Sequence, residues 1–202
     1  MIKKSFFILG FLMTINSFSQ NNPFQSKMDG YWSQITDNTF DDLVKENNLI
    51  VTMPDDFVRV DLKKNYNVIY QYAIKDKSSN FEVRVFIKSF KALMKDTSTF
   101  NPNKFSRNSL MSMSLNASGN LITDSPQIDV FPSEAAKNEF NADWGATTAF
   151  APNTEFGKGF NFCALNCFRM NNVCEVYVFY MFDDITKQEL LMQKCFYLMK
   201  FK

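Results

Sequence analysis

The chain has 202 residues, 46% of them hydrophobic, with 23 phenylalanines and with 22 basic against 21 acidic side chains. That length suits one domain behind a leader, and so even a charge balance gives no basis for electrostatic capture of nucleic acid or an anionic membrane. The sequence contains no histidine, which excludes every Ser-His, Cys-His and His-ligated metal site, histidine being the commonest general base and metal ligand.

Residues 1–19 read as a signal peptide: Lys3-Lys4, the apolar run Phe6 to Met13, and the small-residue exit Ser17-Phe18-Ser19. The run is shorter than the roughly 20 apolar residues a membrane helix needs. The expectation is therefore an exported protein, periplasmic or extracellular, with no membrane span after processing and a mature chain starting near Gln20 or Asn21. No cysteine lies near the cleavage point to carry a lipid. Losing Lys3 and Lys4 leaves 20 basic against 21 acidic side chains, a formal charge of −1.

Residues 20–48 form a helical extension, with Tyr31, Trp32, Ile35, Phe40 and Leu43 at loosely helical spacing. Residues 49–202 read as a single α+β domain. Leu49 to Met53 is a short strand closed by Pro54, which cannot donate to a ladder. Alternating patterns follow at 57–62, 68–75 and 81–87. In the last, Phe81, Val83, Val85 and Ile87 point one way and Glu82, Arg84 and Lys88 the other, which predicts an antiparallel sheet wet on one side. Residues 100–118 predict a helix stopped by Gly119, Ile122 to Phe131 a strand interrupted at Pro126, and Ser133 onward a helix capped by Ser133. Asn141 to Lys158, with its small residues, Trp144-Gly145 and Pro152, reads as a long functional loop.

Two long strands, 159–169 and 173–182, flank Met170-Asn171-Asn172 and predict a β-hairpin. An even loop puts Cys163, Leu165, Cys167, Cys174, Val176, Val178 and Tyr180 on one face. Thr186 to Glu189 resembles a capping box, and the helix it opens carries Leu191, Cys195 and Leu198 on one stripe. The expected architecture is a mostly antiparallel sheet with helices packed on one face and a C-terminal hairpin followed by a terminal helix. On that parity Cys167 pairs with Cys174 across the hairpin and Cys163 with Cys195 in the covering helix, two disulfides suited to an exported protein.

The layout resembles the PsbP/Mog1/DcrB type of α+β domain, in a strand ending at Pro54 before Asp55-Asp56 and Phe57, paired strands at 68–75 and 81–87, and a last helix running out at Phe196 to Phe201. That resemblance implies a binding or assembly factor and no catalytic residues. The lysine pair, phenylalanine-rich core and Phe18-Ser19-Gln20 end of the leader resemble those of Bacteroidetes exported proteins.

A search for chemistry yields little. Asp41-Asp42, Asp55-Asp56 and Asp183-Asp184 are adjacent pairs, which in strands face apart, and Asp29-Gly30 alone makes no calcium loop. No cofactor and no metal are implied. Trp144 and Asp143, with Glu139 near them, and Tyr31 with Trp32 are the candidate ligand- or partner-binding residues. The expected function is a non-catalytic binding or assembly module of the cell envelope with an unknown protein or small ligand as partner. The alternatives are an inhibitor or immunity-type protein that neutralises a secreted partner, and a hydrolase.

Overall fold

In a computed structural model the residues described are 23–36, 39–91, 102–119 and 126–202. The leader and its cleavage point lie outside them, as do residues 122–125 of the strand expected from Ile122. Helices α1 (Pro23–Ser33) and α2 (Thr39–Glu46) precede strands β1 (Leu49–Val51), β2 (Phe57–Arg59), β3 (Tyr72–Asp76) and β4 (Glu82–Ser89). Then come α3 (Ser106–Ser118), β5 (Asp129–Val130), α4 (Ser133–Phe140), β6 (Trp144–Phe150) and α5 (Thr154–Gly157). Strands β7 (Phe162–Met170) and β8 (Cys174–Phe182), helix α6 (Gln188–Cys195) and β9 (Met199–Phe201) close the chain.

The expected α+β class is what the chain adopts. Seven strands form one sheet in the order β2-β3-β4-β8-β7-β6-β5, every neighbour antiparallel. The helices cover both of its faces rather than one. On the first face Phe40 of α2, Phe140 of α4 and Cys195 of α6 pack with Val83, Val85, Val176, Val178 and Tyr180. On the second, Trp32 of α1, Leu110 and Ala117 of α3 and Phe156 of α5 pack with Leu165, Cys167, Tyr177 and Phe179. The N-terminal extension is thus part of both cores. Phe40 stacks on Tyr72 at 4.1 Å, and the Trp32 indole donates to the Asn65 carbonyl at 2.7 Å.

A second cover explains why the face expected to be wet is dry. Glu82 and Arg84 are 1% and 0% exposed. Alternating charge in β4 marks a buried ionic layer here, because Tyr70, Phe156 and Phe160 lie over the Arg84 guanidinium at 5.1, 5.0 and 5.9 Å.

The hairpin differs from expectation by one residue. Met170 pairs with Cys174, so the loop is 171–173, with Asn172 in the left-handed region at φ 61°. A one-residue change of register moves every side chain of one strand to the other face. Cys163 and Cys167 therefore face α3 and α5, with Tyr177 and Phe179, whereas Cys174, Val176, Val178 and Tyr180 face α2, α4 and α6.

Four further expectations are corrected. The supposed loop 141–158 contains a central strand, β6, paired along its length with β7, and the short α5 capped by the Asn153 side chain. Its small residues are required by packing: a Cβ on Gly145 would lie 2.6 Å from the Phe131 ring. Ser133 is the first residue of α4, whose N-cap is Pro132 without a side-chain bond. Asp184, rather than Thr186, caps the turn leading into α6, its carboxylate accepting from Thr186 N at 2.9 Å. The terminal helix expected after the hairpin is α6, but it stops at Cys195 instead of running out at Phe196 to Phe201, where β9 pairs with β1 in a separate two-stranded sheet. The helix expected over 100–118 is α3, and Gly119 ends it at φ 73° as expected.

Candidate functional site

The candidate residues fall at two separate places. Tyr31 is 43% exposed, while Trp32 is buried and meets Tyr70 edge-to-face at 5.5 Å. Trp32 is thus an anchor of α1, close to the chain that leads into β3. Trp144 opens β6, four strands away from β3 in the sheet order. The structure does not bring the two tryptophans into one site.

Trp144 and Asp143 do belong together, through Arg169. The register places Lys88 opposite Glu175, Glu175 opposite Arg169, and Arg169 opposite Trp144. Four adjacent strands therefore contribute one cross-strand row of cation, carboxylate, cation and indole on the face beneath α3. Opposite charges directly across a strand pair attract, and a guanidinium within about 6 Å of an indole face is held by the ring's quadrupole. The Arg169 guanidinium lies 5.6 Å from the Trp144 ring centre. Its Nε donates to Asn171 Oδ1 at 3.0 Å and its Nη1 donates to the Ser106 hydroxyl. Lys88 Nζ is 3.1 Å from Glu175 Oε2 and donates to Ser109 Oγ at 3.2 Å. The Tyr177 hydroxyl donates to the same Glu175 oxygen at 2.8 Å. Glu175 Oε1 is buried without a partner among the described residues.

Asp143 is exposed, and one of its oxygens accepts from Asn171 N at 2.8 Å, while Asp143 N donates to the Arg169 carbonyl at 2.8 Å. It staples the hairpin tip. Glu139, on α4, accepts a hydrogen bond from the Tyr197 hydroxyl. Neither carboxylate stands facing the other across a described cleft. Among the described residues no three His, Cys, Asp or Glu side chains are grouped to hold a metal ion, and no helix is long and apolar enough to cross a membrane.

The four cysteines are free and fully buried. Both expected pairs, Cys167 with Cys174 and Cys163 with Cys195, are split by the sheet, because the hairpin register puts their members on opposite faces. Burial pushes Cys174 and Cys195 up to about 12 and raises Cys163 and Cys167 as well. Only a thiolate is reactive. At pH 8 iodoacetamide should therefore label none of the four in the folded protein and all four in denaturant, and a reductant should leave the melting temperature unchanged. Peptide mapping that found any Cys–Cys link would contradict this packing.

Sequence reasoning missed Lys88, Glu175, Arg169, Glu82 and Arg84, because charge at alternate strand positions reads as a solvent face. One signal could have found the row: a three-residue hairpin loop sets Arg169 against Glu175. Comparison of the chain with protein-family models, with curated proteins and with solved structures yields no match.

Proposed function

We propose that the chain is an exported, non-catalytic binding or assembly module of the cell envelope that takes its protein or small-ligand partner at the hairpin-tip end of the sheet. The observation that carries this reading is the half-buried Trp144 held by Arg169 at the end of a charged row. Tryptophan and arginine fixed by their neighbours are the residue types that dominate binding surfaces. The groups that chemistry would need are engaged in the fold: the thiols are buried, Asp143 holds the hairpin tip, and Glu139 is bonded to Tyr197. The resemblance in layout to the PsbP/Mog1/DcrB domain points the same way.

The test is affinity purification from the native envelope. Wild type should bring down a partner that Trp144→Ala loses at least about tenfold, as expected of an aromatic hot spot, with both proteins folded. Retention of that partner by Trp144→Ala would remove the site from this end of the sheet. Mass spectrometry of the exported protein should find a chain starting near Gln20 or Asn21, and an intact Met1 there would defeat the export reading.

Glu139→Gln and Asp143→Asn keep the acceptor oxygens that Tyr197 and Asn171 use, so each should fold and leave the cellular phenotype largely unchanged. An abolished phenotype with intact folding in either variant would favour the hydrolase.

A further inference from the structure

We infer that α3 is a hinged cover whose N-terminal end lifts off the Lys88–Glu175–Arg169–Trp144 row while the rest of the domain stays folded. The inference concerns motion and does not depend on what the protein binds.

The two faces of the sheet are covered in physically different ways. On one, Cys195, Leu198, Met199 and Phe201 at the chain's end are each no more than 1% exposed. On the other, the buried residues of α3 are Ser106, Leu110, Ser114, Ala117 and Ser118, so its inner face is mainly hydroxyl. Leu110 is its one large, fully buried apolar side chain, with Met111 and Met113 packed only in part. Ser114 and Ser118 return their hydroxyls to the helix's own carbonyls, at Met111 and Leu115, and those bonds survive when the helix moves as a body. Exchanging the remaining polar contacts for water has a small net cost.

The charges beneath favour opening at one end. The 3₁₀ turn Pro102–Phe105 leads into α3, whose first turn carries no acidic residue and whose N-terminus receives no side-chain capping hydrogen bond from Phe105. The positive end of the helix therefore rests on the Lys88 and Arg169 side, against the preference of the macrodipole. The unpartnered Glu175 Oε1 gains water as soon as the cover lifts. The other end is pinned. Asn153 N donates to the Ala117 carbonyl at 2.9 Å, Asn153 Nδ2 donates to the Asn116 carbonyl at 3.0 Å, and Gly119 supplies a left-handed joint at φ 73°. Lifting about that joint breaks the Ser106–Arg169 and Ser109–Lys88 contacts and uncovers a row of two cations, one carboxylate and Trp144.

Hydrogen–deuterium exchange on the full chain tests this in two ways. A helix of this length is marginal in water once it leaves its packing face, so in the wild type amides of 107–118 should fray and exchange at least about tenfold faster than those of 163–169 and 175–181, as expected for a sub-global opening. Their rates should also depend little on added urea. Leu198→Ala, on the opposite face, weakens the native state against global unfolding only. It should speed the hairpin amides by about 30-fold or more and leave the α3 amides unchanged, since Leu198 stays packed when α3 lifts. Equal acceleration of α3 and hairpin, or a common urea dependence in the wild type, would show that α3 opens only when the whole domain unfolds. The urea arm decides alone should Leu198→Ala fail to fold.

Discussion

Arg84→Ala should destabilise the protein by about 3–5 kcal/mol, the cost of breaking a buried ion pair by removing one partner. The guanidinium is completely buried, donates from Nε to Glu82 Oε1 at 2.6 Å and from Nη1 to the Phe156 carbonyl, and is enclosed by Tyr70, Phe156 and Phe160. Truncation leaves the Glu82 carboxylate with Lys63 alone, 2.9 Å away on its other oxygen, and leaves a void among three rings. The ring contacts demand a flat cation, so Arg84→Lys should also lose stability. Replacing both charges together, in Glu82→Leu/Arg84→Met, should recover most of the loss, because the pair's attraction is largely offset by its desolvation. Urea denaturation of the three variants checks the order. A single mutant within about 1 kcal/mol of wild type, the range of an exposed pair, would mean that the ions are hydrated.

Phe201→Ala should cost about 3–5 kcal/mol, as for other fully buried phenylalanines. Phe201 pairs with Leu49 across the β1–β9 ladder and meets Phe168 of the main sheet edge-to-face at 6.0 Å. Ending the chain at Leu198 should do more. It takes away both Met199 and Phe201, leaves β1 without its partner, and removes the bonds from Lys202 N to the Asn48 carbonyl and from Asn141 Nδ2 to the Lys202 carbonyl. Against a total stability of about 5–15 kcal/mol, the truncated chain should fail to fold cooperatively. A thermal melt of the truncated protein matching that of the full chain would show the clasp to be ornamental.

The sequence by itself determined the elements whose signals are local. The α+β class, the stop of α3 at Gly119, the strand ending before Pro54, the hairpin and the final helical stripe of Leu191 and Cys195 all follow from backbone preferences and side-chain period. Those forces act within a few residues and need no knowledge of what lies across the sheet. Tertiary structure alone decided three things. The hairpin register turned on one loop residue, and with it the placing of every cysteine, because a strand's two faces differ by a single position. The partner of β1 is β9, some 150 residues away, and ladder bonds leave no mark of partner identity in either strand. Glu82, Arg84, Arg169 and Glu175 lie inside because α1, α3 and α5 cover a second face, while Lys88 stays part-exposed. Charge at alternate positions predicts exposure only where water is the one partner available, and here Lys88, Glu175 and Arg169, like Glu82 and Arg84, have one another.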